Sequence, residues 1–195
     1  MQGVFGSEIE DQDQPIDLHP GEAAIVAAAG EKRRRDFALG RFCAHTALTQ
    51  LGQPQDVVGS GESGAPLWPQ GICGSITHTM GYAASLVARR ECFAGLGVDA
   101  EHVGGVTEKL WPRLFNESER AMLTERGDRA IAATILFSAK EACFKAQGSA
   151  SDPFTAIGVE LSDTGFLARS KAGELRGLFA VRESLVLTAA YWPAR

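Results

Sequence analysis

The sequence predicts an α+β protein of two like halves, each a long helix laid on a few strands, related by a pseudo-twofold duplication. Two observations carry the prediction. The stretches "FALGRFCAHTAL" and "FSAKEACFKA" share a rhythm of aromatic, small and basic residues at helical spacing, and strand-like apolar runs follow each. The composition, 45% hydrophobic and 22% charged over 195 residues, supports a substantial core in one domain or two small halves. Clefts tend to form where such halves meet, so the active site is expected between them.

Taken in order, residues 1–17 read as a flexible N-terminal tail. Pro20 and Glu22 open a first helix over "GEAAIVAAAG". The second helix, "RDFALGRFCAHTALTQLG", ends near Leu51 and Gly52, glycine being a natural C-terminal stop. "QPQDVVGSGESGAPLWPQGICG" is rich in Gly, Pro and Ser and reads as loop with a short strand at most. "GSITHTMGYAASLVARR", broken by Gly81, and "CFAGLGVDAE" read as strands. "TEKLWPRLFNESERAML", with Pro112 near a helix start, and "DRAIAATILFSAKEACFKAQG" read as helical. The chain closes on three strand candidates, "FTAIGVEL", "GELRGLFAV" and "SLVLTAAYW". This places an N-terminal half at 18–94 and a C-terminal half at 95–195.

Charge and patterning exclude several classes. A net charge of −5 argues against general nucleic-acid binding, which works by neutralising phosphates. No run of about 18 apolar residues predicts a membrane span, and the acidic start "MQGVFGSEIEDQDQPID" lacks the regions of a signal peptide. The expectation is a cytoplasmic protein, monomeric because a duplicated chain builds its cleft internally. Cys43, Cys73, Cys92 and Cys143 are far apart with no CxxC pair, which predicts buried free thiols.

Four segments concentrate chemistry-bearing residues. Lys32, Arg33, Arg34 and Arg35, followed by Arg41, are either a solvated helix face or forks for a phosphate-rich ligand. In "GVDAE", period-two alternation aims Asp99 and Glu101 to one side of a strand, where two carboxylates suit a turn in water or an oxygen-seeking cation such as magnesium. On the helix "ILFSAKEACFKAQG", Glu141 and Lys145 are four residues apart. They either pair on a wet edge, worth a few tenths of a kcal/mol, or bring a third carboxylate and a phosphate-seeking amine to a site. In "GSITH", Ser75, Thr77 and His78 offer two hydroxyls and an imidazole, and a lone histidine is often merely structural.

Together these segments resemble the Sfp-type 4'-phosphopantetheinyl transferases, in particular their compact actinobacterial and enterobactin-associated branch. The resemblance runs from about Leu18 to Trp192 through "KRRRDFALGRFCAHTAL", "GAPLWPQGICGSITHTMGYAAS", "GVDAE", "FNESE" and "FSAKEACFKA", in the family's order. It is most specific in "GVDAE" and "FSAKEACFK", which match the signatures G-[IV]-D-x-E and [FW]-[SCT]-x-K-E-[AS]-x-x-K at every defined position.

The resemblance implies the family's fold and an enzyme of the holo-[acyl-carrier-protein] synthase type. Such enzymes move the 4'-phosphopantetheine arm of coenzyme A onto a serine of an apo acyl, peptidyl or aryl carrier protein and release adenosine 3',5'-bisphosphate. By the same resemblance Asp99, Glu101 and Glu141 hold Mg2+ and, with Lys145, form the catalytic group. Lys145 contacts the phosphates; Lys140 does so too or anchors the helix. Arg33, Arg34, Arg41 and His78 surround the 3'-phosphate, with Ser75 and Thr77 lending donors. Glu119 in "FNESE" matches a family glutamate of open role. The pathway served, whether fatty-acid, polyketide, siderophore or other nonribosomal peptide synthesis, is left open. In one place the chain departs from its branch: Ser63 precedes "GAPLWP" where many relatives carry a basic residue, so one cationic contact to coenzyme A is expected to be missing. Two other classes stand beside this reading, another magnesium-dependent nucleotide-using transferase and a non-catalytic coenzyme A or carrier-binding module. No P-loop or Rossmann glycine fingerprint supports the first, and three collected carboxylates, costly to assemble, argue against the second.

Overall fold

The computed structural model describes residues 2–10, 15–53, 57–61, 64–148 and 153–194. The chain divides into two compact units, Met1–Ala94 with Ala194–Arg195, and Gly95–Pro193.

In the first unit, strand β1 (Val4–Glu10) precedes helix α1 (Pro20–Ala23), a 3-10 turn (Ala24–Val26) and the long helix α2 (Glu31–Gln50). The two-residue strands β2 (Gly59–Ser60) and β3 (Pro66–Leu67) follow, then the hairpin of β4 (Ile72–Thr79) and β5 (Tyr82–Arg89). The main sheet has the order β1-β5-β4. The expected flexible tail at 1–17 is corrected here. Residues Val4–Glu10 pair antiparallel with β5, from Val4↔Ala88 to Glu10↔Tyr82. The cause is alternation: Phe5 and Ile9 pack against buried clusters while Glu8 and Glu10 stay exposed.

Helix α2 buries Ala44, Ala47, Leu48 and Leu51 against Val58, Ile72 and Val87. A fully buried leucine of this kind contributes about 1.5–3 kcal/mol. The helix approaches β4 closely at Gly40, where an added Cβ would stand 2.8 Å from Ile76 Cγ2. Gly81 closes the β4–β5 hairpin with φ of 77°, a backbone state natural to glycine.

The second unit is built on β6 (Phe93–His102), followed by a 3-10 turn (Glu108–Leu110), α3 (Trp111–Leu114), α4 (Glu117–Glu125) and α5 (Arg129–Gln147). Strands β7 (Gly158–Leu161), β8 (Gly165–Ser170), β9 (Gly173–Arg182) and β10 (Leu185–Pro193) complete a sheet of order β6-β10-β9-β8-β7. Strand β8 was absent from the sequence-based expectation. Its Phe166 and Ala168 are buried but alternate with Leu167, so the stretch shows no clean polar face. Leu136, Ala139 and Cys143 of α5 pack with Ile157, Val159, Phe166, Leu175 and Ala190 in one core. The helical stretch around Pro112 breaks after Leu114, and Asn116 starts a new helix by accepting from Glu119 N while the Glu119 carboxylate accepts from Asn116 N.

Each unit is thus a long helix on an antiparallel sheet, the α+β arrangement expected. All four cysteines are free thiols. Cys43, Cys73 and Cys143 are buried as expected, whereas Cys92 is exposed. Burial pushes Cys43 up to about 11 and Cys143 up to about 12, so neither ionises near neutrality. Among the described residues no helix is long and apolar enough to cross a membrane.

Candidate functional site

The acidic residues come together within the second unit because α5 lies directly on β6. At Gly97 an added Cβ would meet Ala142 O at 1.7 Å, and at Gly95 it would meet Ala146 O at 2.1 Å. Any side chain at either position would push the helix off the strand. The glycines of "GLGVDAE" therefore let the strand deliver Asp99, two residues on and on the same face, to Ser138 and Lys145.

Asp99 is buried, at 4% exposure, and fully engaged. Lys145 Nζ donates to its Oδ1 at 2.7 Å and to Val98 O at 3.1 Å. Ser138 Oγ donates to Oδ2 at 2.8 Å. Behind Ser138, Thr188 Oγ1 on β10 lies 2.8 Å from Ser138 Oγ and donates to Ser138 O at 2.9 Å. Glu101 and Glu141 complete the acidic group. Partial burial, then the charge of Asp99, raises the Glu101 carboxyl to about 7; Glu141 adds to this and Lys145 opposes it. Burial and Asp99 raise Glu141 as well, again against Lys145. Three carboxylates share one field with a single lysine against them, an arrangement that favours added positive charge or a proton.

The donor set is oxygen-only, which suits magnesium. Among the described residues, however, no group of three His, Cys, Asp or Glu side chains stands arranged to hold a metal ion. Lys145 supplies the counter-charge of Asp99 in this arrangement. The residues fit the ion by chemistry and by unmet negative charge.

Lys140, expected near the phosphates, is turned to the interior. Its side chain is 0% exposed, and Nζ is 2.8 Å from Glu119 Oε2 and 3.2 Å from Leu114 O, with the rings of Phe115 and Phe154 beyond. Glu119 also accepts from Val159 N at 2.9 Å. Of the two roles held open for Lys140 the structure shows the anchor, and Glu119 is its counter-ion, joining α4, α5 and β7.

The basic residues lie in the first unit and part into two groups. Arg33 Nη1, on the first turns of α2, is 3.3 Å from His78 Nε2 at the end of β4. Lys32 Nζ donates to Asp36 Oδ2 at 2.7 Å, and that oxygen is 3.9 Å from His78 Nδ1. Arg34 is exposed beside them. Arg41 is different: it is 5% exposed, stacks its guanidinium 4.1 Å from the Phe37 ring centre, and donates through Nε to Val58 O and through Nη2 to Gly59 O. Buried Glu22 accepts from Val58 N at 3.0 Å and pairs with His45 at 2.8 Å. Arg41 and Glu22 thus clamp the 58–59 backbone from both sides. Desolvation lowers the Arg41 pKa, with Glu22 opposing and Arg33 adding to the effect, yet arginine stays charged.

Arg41, expected as a phosphate ligand, makes its described contacts inside the unit: helix spacing puts it on the stripe of Phe37, Ala44 and Leu48, which faces the core. Ser75 and Thr77 are buried at 3% exposure each and alternate with His78 along β4, so they project from the opposite face of the strand. Ser63 lies outside the described residues. Residues missed from sequence include Ser138, Thr188, Glu22 and Asp36. Ser138 stands three residues before Glu141 and seven before Lys145, a helical spacing that marks one face; Thr188 reaches the site only through the tertiary fold.

The family model of the 4'-phosphopantetheinyl transferase N-terminal domain matches residues 21–88, and that of the 4'-phosphopantetheinyl transferase superfamily matches residues 95–189. The chain is similar to the 4'-phosphopantetheinyl transferase Npt of Nocardia iowensis, 40% identical over 144 residues that cover 74% of this chain and 65% of Npt. It is also similar to Svp of Streptomyces mobaraensis, 43% identical over 138 residues covering 69% and 56% of the two chains. With PptT of Mycobacterium tuberculosis it shares 34% identity over 190 residues, 87% of this chain and 84% of PptT. The chain therefore spans less than two thirds of the lengths of Npt and Svp. The superfamily match covers every residue of the acidic group and the N-terminal match covers Arg33, Asp36 and His78, so the chain belongs to the 4'-phosphopantetheinyl transferase superfamily.

Proposed function

We propose that this chain transfers the 4'-phosphopantetheine arm of coenzyme A to a serine of an apo acyl, peptidyl or aryl carrier protein, with magnesium, releasing adenosine 3',5'-bisphosphate. The observation that supports it most is the grouping of Asp99, Glu101, Glu141 and Lys145 on β6 and α5, in the unit that matches the superfamily model. The related proteins Npt, Svp and PptT are each described as 4'-phosphopantetheinyl transferases, which favours the same chemistry here.

The residues divide the work by charge. Asp99, Glu101 and Glu141 would hold magnesium, which would supply positive charge against the pyrophosphate as the bond to the leaving group breaks. Lys145 would meet phosphate oxygens from the same face of α5 as Glu141, and its bonds to Val98 O and Asp99 hold its amine at the acidic group. Ser138 and Thr188 hold Asp99 so that one carboxylate oxygen keeps a set direction. The attacking serine must lose a proton, which a carboxylate of the acidic group, Glu101 or Glu141, would accept. Arg33 and Arg34, with His78 beside Arg33, would receive the 3'-phosphate.

Chromatographic detection of adenosine 3',5'-bisphosphate tests the reading. It should appear from coenzyme A only when both magnesium and an apo carrier protein are present. Release without a carrier would indicate another magnesium-dependent transferase or hydrolase, and tight coenzyme A binding without any release would indicate a binding module.

A further inference from the structure

One carboxylate in the basic group has no part in the reading above. Asp36 stands on α2 one turn after Lys32, and its Oδ2 accepts from Lys32 Nζ at 2.7 Å while lying 3.9 Å from His78 Nδ1. On the other side of the ring, Arg33 Nη1 is 3.3 Å from His78 Nε2. The imidazole lies between a cation within hydrogen-bond distance and an anion at 3.9 Å. Arginine carries only donors, so Nε2 acts here as an acceptor, the ring is neutral, and its single proton is on Nδ1, the side of Asp36.

We infer that Asp36 is a positioning residue for His78: it orients the ring and favours its imidazolium form when a phosphate monoester takes over the Arg33 contact. The inference rests on the reading that Arg33 and His78 receive the 3'-phosphate of coenzyme A. The proton balance is simple. A phosphate oxygen accepts from Arg33, Nε2 is released from that contact and takes a proton from water, and the new N–H donates to the phosphate. The Nδ1 proton stays where it is, facing a carboxylate that offsets the added charge. Without Asp36 the imidazolium would stand beside Arg33 without that carboxylate to offset its charge. From α2, Arg33 and Asp36 approach the ring, with Lys32 acting through Asp36. On the neighbouring strand the residue paired with His78 is Ala83, which carries no charge.

Proton NMR of the histidine ring resonances, followed from acid to alkaline pH, tests this. The chain has four histidines, and His78→Gln identifies the signal of interest. In the wild-type protein, adenosine 3',5'-bisphosphate should raise the His78 titration midpoint by about one pH unit, whereas adenosine 5'-monophosphate, lacking the 3'-phosphate, should not. Asp36→Asn should cut that rise at least by about half and Asp36→Glu should restore it. Lys32→Met provides a second arm free of folding risk, because the Lys32 side chain is 80% exposed. It releases Asp36 from its competing partner and should raise the midpoint without any ligand. A full bisphosphate effect in Asp36→Asn, with no change in Lys32→Met, overturns the role of Asp36 and leaves the phosphate site standing. No bisphosphate-specific effect on His78 in the wild-type protein overturns the phosphate site and the inference together.

Discussion

The acidic group of the second unit and the basic group of the first carry charges of opposite sign, but they are built on different principles. Asp99 is buried, engaged at both oxygens, and supported by Ser138, Thr188 and Lys145 on two further elements. Arg33, Arg34 and His78 stand exposed at a helix start and a strand end, Arg33 lying 3.3 Å from His78. Buried groups in a fixed frame act strongly and locally, whereas exposed charges act weakly, additively and under the control of salt. On the proposed function, chemistry is assigned to the first group and ligand capture to the second. The comparison also separates Arg41 and Lys140 from both, since each spends its charge inside its own unit.

The largest effect is expected from the acidic group. Asp99→Asn and Glu141→Gln should each lower transfer by about a thousandfold or more while circular dichroism stays unchanged, because they remove charge and keep shape. Near-normal turnover in both variants would break the distinction between the two groups.

Next in size is Lys140. Its removal in Lys140→Ala leaves Glu119 buried and unpaired, which should cost about 3–5 kcal/mol in denaturant unfolding. The double variant Lys140→Met with Glu119→Gln should recover much of that loss. If Lys140→Ala keeps full stability but loses coenzyme A affinity, Lys140 is a ligand after all and the assignment of an anchor fails.

Arg41 and His78 then sharpen the comparison inside the first unit. Arg41→Met should lower stability by about 2 kcal/mol or more, as the carbonyls of Val58 and Gly59 lose their donors, and should weaken coenzyme A and 3'-dephospho-coenzyme A alike. Arg33→Ala and His78→Ala should leave stability intact and cost about tenfold in the preference for coenzyme A over its dephospho form, less at high salt. Calorimetric titration with both ligands at two salt concentrations separates these outcomes.

Glu101 also gives the stability a pH dependence. Glu101 is raised from 4.5 to about 7 in the folded protein, so between these values the native state keeps a proton that the unfolded chain has lost. Stability therefore falls as pH rises through this window, and the penalty is complete above about pH 7. Glu101→Gln should flatten that slope, and magnesium binding near neutral pH should release protons from Glu101 in the wild-type protein, visible as buffer-dependent heat. A slope unchanged in Glu101→Gln would show that another group titrates there.

The sequence revealed the fold where one periodicity dominated. Helices α2 and α5 and strands β4, β5 and β6 were legible from apolar spacing and glycine breaks. Strand β1 was hidden by its acidic residues, although Phe5, Ser7 and Ile9 alternate correctly, and β8 by the apolar residues on both of its faces. In the site, strand and helix periods paired Asp99 with Glu101 and Glu141 with Lys145, but only the resemblance of "GVDAE" and "FSAKEACFK" to family signatures marked the four as one group. The direction of a lone cation was harder to read. Arg41 shares the stripe of Phe37 and Leu48, and Lys140 that of Leu136 and Cys143, so spacing already set both on buried faces, but a charged residue there is recognised as internal only once its partner is known. Those partners, Glu22 with the 58–59 backbone and Glu119 with Leu114, are distant in sequence. Thr188 lay beyond reach for the same reason, 50 residues from the serine it supports.

The central claim is that the acidic group performs a magnesium-dependent transfer onto a carrier serine. Intact-mass spectrometry of a panel of apo carrier proteins, incubated with coenzyme A and either the wild-type protein or Glu141→Gln, tests it most directly. The account predicts that at least one carrier gains the mass of a single phosphopantetheine arm with wild type and magnesium, and gains none with a chelator, with Glu141→Gln, or when its serine is replaced by alanine. A carrier modified as readily by Glu141→Gln as by wild type, or carriers that all stay unmodified with wild type and magnesium, would contradict it.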